Sequence, residues 1–339
     1  MPISDNLSKI PWSEQTRSSY EVWYAIVNHP TLLKAFWFRY SLLARPNSPP
    51  EGRLWAIYFD EEDFKQPEVN DKQFLITQTF PWSEIQFSEE GGVQFGPHFL
   101  HHHRAGGSIS GKNRQVSWNF TWTPAPQCHR PVANAFLYSL MSKSIHLTPN
   151  SQIQMNGELI INGEKIEFSQ APAHQGHTYG TQMPLGWIWG QCSQFNESDQ
   201  ACFEGVALYK KKSHPFPPAR NSFYLHYQGK EYAFNRWFQI LRTNQSQGTL
   251  PLWNFEARHP ELWLRGNIRL RPAKFAHVAY LTPNDQFLFN HNDCLAQIQL
   301  TLYHPHETKP FQTLTSKRAN LEFVFREGSR KDFEPHYIL

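Results

Sequence analysis

With 339 residues and a formal charge of only +3, the chain is long enough for two domains and a substantial buried core, and too weakly basic to be an electrostatic nucleic-acid binder. Hydrophobic residues make up 40% of it and charged residues 18%, which excludes a disordered chain. Twelve Trp and 26 Phe are an excess of rings of the kind that fills β-sheet cores or lines apolar cavities.

Residues 18–27 carry the best helix signal, although they also suit a strand. Phe36-Trp37-Phe38-Arg39-Tyr40 sets one arginine in an aromatic strand. Arg39 either meets a carboxylate or phosphate on a lipophilic ligand or closes a barrel at its surface; Trp37 beside it is a candidate ligand contact. Residues 53–59 read as a strand, and Glu90-Gly91-Gly92 marks a turn. In the run His98-Phe99-Leu100-His101-His102-His103, His101 and His103 share a strand face, a spacing able to chelate a metal. No third ligand in matching context follows, so no metal is assigned and the run reads as a polar rim.

In residues 115–122, Val116, Trp118, Phe120 and Trp122 fall on one face, and Gln115, Ser117, Asn119 and Thr121 on the other. This is the alternation of a strand buried on one side; Trp118 is its candidate ligand contact. Residues 131–142 have room for a short helix. Asn156-Gly157 marks a turn, and Asn162-Gly163 predicts a tight hairpin. Beyond it, strands are expected at 186–195, 203–210, 223–227, 236–242, 250–257, 262–270, 276–281, 294–302 and 321–326, with a hairpin across 227–232. Lys210-Lys211-Lys212 reads as a solvated strand end. The Pro-rich residues 211–218 break the pattern and place the domain junction, giving domains 1–212 and 213–339; Ala171-Pro172-Ala173 is the alternative. So many short strands imply sandwiches or up-and-down barrels.

Cys128, Cys192, Cys202 and Cys294 form no CxxC pair, and residues 1–12 lack the apolar core of a secretory signal. Reduced thiols in a cytoplasmic protein are therefore expected. No apolar run approaches the roughly 20 residues of a membrane span. Gly107-Ser108-Ile109-Ser110-Gly111 is not GxSxG, and neither a phosphate-binding loop nor GxGxxG occurs, against hydrolase, NTPase and dinucleotide-cofactor classes.

The strongest functional signal is Gly176-His177-Thr178-Tyr179-Gly180 followed by Trp187-Ile188-Trp189-Gly190-Gln191-Cys192. The glycines permit a tight turn or a close backbone approach. Trp187, Trp189 and Gln191 alternate onto one strand face. His177 is the candidate acid or base, or else a structural histidine bonded to a turn. Tyr179 is its partner or a packing residue. Glu204 is the candidate acid, because a carboxyl in an apolar pocket holds its proton; as an ordinary strand glutamate it would face solvent.

These segments, in order from Gly157-Glu158-Leu159 through the His177 motif to Trp187-Ile188-Trp189, resemble the AttH-like and hydroxyneurosporene-synthase (carotenoid 1,2-hydratase) proteins. Residues 182–195 are similar to a tocopherol-cyclase segment, and residues 54–60, 114–122 and 289–296 fit the same pattern. Tyr179 stands where the family motif Gly-His-x-Trp-Gly carries its Trp. The nearest acids downstream of the motif are Glu197, Asp199 and Glu204. The resemblance implies an all-β chain of two lipocalin-like (calycin) antiparallel barrels in tandem that handles a hydrophobic, often isoprenoid, small molecule. The activity expected from it is hydration or cyclisation without a cofactor; the alternatives are a non-catalytic carrier of a lipophile and a β-rich interaction protein. Nothing in the sequence assigns an oligomeric state.

Overall fold

Residues 18–27 resolve the helix-or-strand choice as a strand. Their ring and β-branched residues Tyr20, Val22, Trp23, Tyr24, Ile26 and Val27 suit a pleated surface, and all ten residues of the strand Ser19–Asn28 are buried, as in a strand covered on both faces. The computed structural model describes residues 5–61, 73–125, 128–134, 138–139, 142–209, 219–272 and 275–326. It divides into two units, the first of residues 1–129, 143–183 and 282–285 and the second of the rest.

The first unit holds β1 (Ser19–Asn28), β2 (Lys34–Ala44), β3 (Glu51–Asp60), β4 (Phe74–Pro81), β5 (Ile85–Phe87), β6 (Gly92–Phe95), β7 (His98–His101), β8 (Arg104–Ser110), β9 (Gln115–Trp122), β10 (Ser144–Ile161) and β11 (Glu164–Gly180). They form one antiparallel sheet in the order β4-β3-β2-β1-β11-β10-β9-β8-β7-β6-β5. The second unit holds β12 (Gly186–Cys192), β13 (Cys202–Tyr209), β14 (Ala219–Tyr227), β15 (Lys230–Phe234), β16 (Gln245–Thr249), β17 (Leu252–His259), β18 (Leu262–Arg269), β19 (Ala276–Leu281), β20 (Phe287–Tyr303) and β21 (Gln312–Arg326). Its order is β15-β14-β13-β12-β21-β20-β18-β17-β16, with β19 added on β20. The wiring is the same twice: the first strand of each unit pairs with its last, which pairs with a long penultimate strand carrying register shifts. The protein is all-β, with two lipocalin-like antiparallel barrels in tandem.

The units part at Met183/Pro184, so β12 and β13 pair within the second sheet. The Pro-rich junction expected at Lys212/Ser213 and the lysine run before it lie outside the described residues. Ala171-Pro172-Ala173, the other junction considered, is inside β11, where Pro172 faces Gln154.

Ring packing fills both barrels. In the first, Phe38 and Phe120 stack at 5.9 Å and Trp118 meets Phe36 edge-on at 5.4 Å. Trp118 also lies across Gly107, where a β-carbon would strike its indole. Trp118 is part of the buried cluster of the first unit. In the second, Phe203 stacks on Phe255 at 5.0 Å and Trp253 adjoins Phe255 at 4.8 Å.

Two local expectations are corrected. Asn156-Gly157 is not a turn. It lies inside β10 at a register shift, and a side chain at Gly157 would collide with the Asn119 carbonyl. Residues 236–242 are not a strand but lead into a short helical turn, Gln239–Thr243, with the Ile240 N–H donating to the Arg236 carbonyl at 3.0 Å. The Asn244 amide then donates to the Asn221 and Phe234 carbonyls at 2.9 and 2.7 Å, tying the turn to β14 and β15. β16 was not expected, because Gln245-Ser246-Gln247-Gly248-Thr249 has no apolar alternation. The Asn162-Gly163 hairpin forms as expected, with both residues at positive φ (51° and 87°). Tyr138 and Ser139 are helical.

Candidate functional site

His177 lies on β11 directly opposite Trp23 of β1, and the two rings stack at 4.9 Å and 13°. Glu21, two residues before Trp23, shares this inner face. His177 Nδ1–H donates to the Asp5 carbonyl at 2.7 Å and Nε2–H to Glu21 Oε1 at 2.9 Å. The Glu21 carboxylate also accepts from the Lys9 N–H at 2.6 Å, Ser8 Oγ at 2.7 Å and Trp12 Nε1 at 2.6 Å. Burial alone pushes this carboxyl up. The His177 hydrogen bond and charge, with the Lys9 and Ser8 donors, outweigh it and hold the group below the usual carboxylate range. Both residues are 0% exposed. The arrangement is a buried ion pair that seats residues 5–12 across the inner face.

Asn6 extends it. Its carbonyl accepts from Trp23 Nε1 at 2.9 Å, and its amide donates to His102 Nδ1 at 2.9 Å and Gln175 Oε1 at 3.1 Å. Asn150 donates to the same Gln175 oxygen. Within the histidine run, His102 thus meets an amide and His98 Nδ1 accepts from the Ser108 N–H at 3.1 Å, and burial pushes His98, His101 and His102 below the usual imidazole range. Among the described residues no three His, Cys, Asp or Glu are grouped to hold a metal ion.

The glycines flanking His177 serve close approach, not a turn. The Tyr24 ring lies over Gly176, and Gly180 abuts the Lys143 carbonyl. Gly176→Ala is expected to cost about 1–3 kcal/mol, the usual penalty of overpacking, because Tyr24 is held between His146 and His174. Urea unfolding should show the loss, and adding Tyr24→Ala should make the alanine at 176 nearly neutral; full additivity would refute this. Tyr179 faces Glu21 across the strands, its half-buried ring 5.5 Å from that of His177. Trp37 and Arg39 alternate onto the opposite face from Trp23, and the Arg39 guanidinium sits 5.4 Å from the Trp55 ring, which Arg53 also approaches at 5.8 Å.

The second unit carries the other expected residues, and there they meet. Trp187, Trp189 and Gln191 share one face of β12. Gln191 stands opposite Glu204 of β13 and Asn320 of β21, and accepts from the Asn320 amide. Trp189 Nε1–H donates to Glu204 Oε1 at 3.0 Å. Glu204 is 2% exposed, so it is not a solvent-facing strand glutamate. Tyr224, across from it on β14, is pushed well above the usual phenol range, chiefly by burial. On β21, Glu322 stands opposite Trp189 and accepts from Asn292 Nδ2 at 2.9 Å. Trp187 is half-buried at the end of the wall.

The expected residues thus fall into three places: His177, Tyr179 and Trp118 on the inner face of the first sheet, Trp37 and Arg39 on its other face, and the Trp187–Glu204 group in the second unit. Glu21, Tyr224, Asn292 and Glu322 were not singled out. Glu21 and Glu322 each had a signal, a lone acid in an apolar strand sequence (Tyr20-Glu21-Val22-Trp23 and Leu321-Glu322-Phe323-Val324), where an ionised side chain needs partners.

The tocopherol cyclase-like family matches residues 17–324, and the chain belongs to that family. An AttH-type protein from Nitrosomonas europaea shares the fold, with a TM-score of 0.57 at 10% identity over 94% of this chain and 96% of the other. CghA, solved with Sch210972, aligns with a TM-score of 0.48 at 11% identity, covering 96% and 97%. No curated protein matches the chain significantly. Among the described residues no helix is long and apolar enough to cross a membrane.

Proposed function

We propose that this protein is a cofactor-independent enzyme of the cyclase or hydratase type, acting on a hydrophobic, isoprenoid- or polyketide-like molecule, with Glu204 as its acid. The observation that carries the reading is the Glu204 carboxyl, 2% exposed and accepting from the Trp189 indole N–H on a face built of Trp187 and Trp189. Removing a carboxyl from water favours its proton-bearing form, and alkene protonation needs such an acid kept dry. Glu204 gives its proton to the less substituted alkene carbon, leaving a tertiary cation that the indole faces stabilise. A hydroxyl of the same molecule, or water, adds to the cation and loses its proton to the Glu204 carboxylate, which restores the acid. The first outcome is a ring and the second an alcohol.

His177 donates both its N–H groups within the protein, so in this reading it holds the first barrel and residues 5–12 in place, with Tyr179 at the edge of that network. Arg39 and Trp37, in the first unit, take no part in this step. The four cysteines form no disulfide, and a reducing, cytoplasmic setting is part of the same proposal.

The test is turnover of prenylated and polyene alkenes in D2O, followed by mass spectrometry. One deuteron should enter each product at a carbon. Glu204→Gln should lower kcat by about 10²–10⁴-fold, the usual worth of a general acid, with KM little changed. Wild-type rates in Glu204→Gln would sink the assignment. Tight binding of the alkenes with no deuterium uptake would instead mark a carrier.

A further inference from the structure

Glu322 is the second carboxyl on the Trp187–Trp189 face. It is flanked on one side by Trp189 of β12 and on the other by Asn292 of β20, both in direct register. The neighbouring rung on the same face is Trp187, Val324 and Asn290. Glu322 is therefore one strand away from both indoles, within roughly 5–8 Å by the spacing of direct and diagonal neighbours in a sheet.

Its carboxylate is aimed by a relay. The Asn292 amide donates to Glu322 Oε1 at 2.9 Å, and the Cys294 thiol donates to Asn292 Oδ1 at 3.6 Å. An ionised carboxylate only accepts, so the amide turns its Nδ2 to Glu322 and its Oδ1 to the thiol. Burial pushes that thiol well up, and the Asp293 and Glu322 charges push it further, so it remains a donor. Asn292 is 1% exposed and Cys294 0%, whereas Glu322 is only half-buried. The two carboxyls of the wall thus stand in different surroundings: Glu204 is dry and accepts from an indole N–H, while Glu322 is closer to water and accepts from an oriented amide. Such separation sorts two carboxyls into different roles.

We infer that Glu322 is the counter-charge of this wall, a carboxylate that pairs with the cationic centre of a bound lipophile lying against Trp187 and Trp189. During turnover that centre is the tertiary cation; outside turnover the same place takes a quaternary ammonium group. Glu322 forms no bond and exchanges no proton, so the proton balance stays between Glu204 and the substrate. Asn292 and Cys294 are positioning residues. The inference deepens the acid-catalysis reading and rests on it for the identity of the cation.

The experiment uses two probes of one shape: a geranyl ether ending in a trimethylammonium group and the same ether ending in a tert-butyl group. Tryptophan fluorescence gives their affinities at pH 7. The full-length protein should bind the ammonium ether about tenfold more tightly, from charge pairing and ring contact together. Glu322→Gln should bring the ratio to about one while leaving tert-butyl binding intact. Glu204→Gln should keep the preference. Cys294→Ala should lower the ratio and Cys294→Ser, which retains a donor, should restore it; this rescue also serves if Glu322→Gln folds poorly. A ratio near one in the wild type, or a ratio unchanged in Glu322→Gln or in both Cys294 variants, overturns the inference. A cation preference that follows Glu322 in a protein that deuterates no alkene would sink the acid reading alone.

Discussion

Glu21→Ala is expected to cost about 3–5 kcal/mol of stability, the penalty of breaking a buried ion pair by removing one member. The substitution removes the acceptor of His177 Nε2–H beside Trp23, and it strands the Lys9 N–H, Ser8 and Trp12 donors. Urea unfolding at pH 7 measures the loss, and limited proteolysis should show cleavage within residues 5–12 well before the sheet is cut. A loss under about 1 kcal/mol would show that these groups find water instead. The wild type should show the same weakness in acid. Because the folded-state Glu21 carboxyl lies below its ordinary value of 4.5, its contribution is complete above that value and is lost as the pH falls through the folded value. Replacing the pair together, Glu21→Met with His177→Leu, should cost much less than Glu21→Ala and remove this part of the acid sensitivity.

Asp293→Ala should have a comparable effect in the second unit, again about 3–5 kcal/mol. Asp293 is 0% exposed and binds Arg271 through both oxygens, with Arg271 Nη2 at 2.7 Å and Nε at 3.0 Å. It also accepts from the Arg271 N–H at 3.0 Å and the Leu295 N–H at 2.9 Å. The residue sits where β20 shifts register against β21, so its carboxylate satisfies backbone donors in the irregular stretch as well as a buried guanidinium. Asp293→Asn should be milder, since one amide oxygen can still accept from Leu295. Thermal unfolding distinguishes the two, and equal losses would mean that only the charge matters. Asp293 lies between Asn292 and Cys294, so Asp293→Ala should also lower the ammonium preference of the wall.

The legible parts of the fold are those where one residue pattern has one physical solution. Val116, Trp118, Phe120 and Trp122 alternate with polar residues and form β9 as read; Asn162-Gly163 turns because both residues tolerate positive φ. Asn156-Gly157 misled because a glycine beside an asparagine also serves where two backbones crowd. Residues 236–242 misled because Trp237, Phe238, Ile240 and Leu241 fit a helical turn as well as a strand. For the site, sequence spacing placed Trp187, Trp189 and Gln191 on one face, and the acid chosen beyond them, Glu204, stands beside them. It could not supply Asn292 or Glu322, because their relation to Trp189 is set by pairing between strands distant in sequence. Nor could it tell that the partners of His177 are Asp5 and Glu21, more than 150 residues away in the chain.

The position of β21 has a consequence for biosynthesis. This strand, Gln312–Arg326, lies between β12 and β20 in the middle of its sheet. Until it emerges from the ribosome, both of those neighbours present unpaired edges, and the second barrel has no closed form to adopt. Long-range closure of this kind is slow and leaves adhesive edges exposed in the interim. A premature stop before Gln312 should therefore yield an aggregating chain rather than a shorter folded one, and chaperone demand during translation should fall on the second half of the molecule.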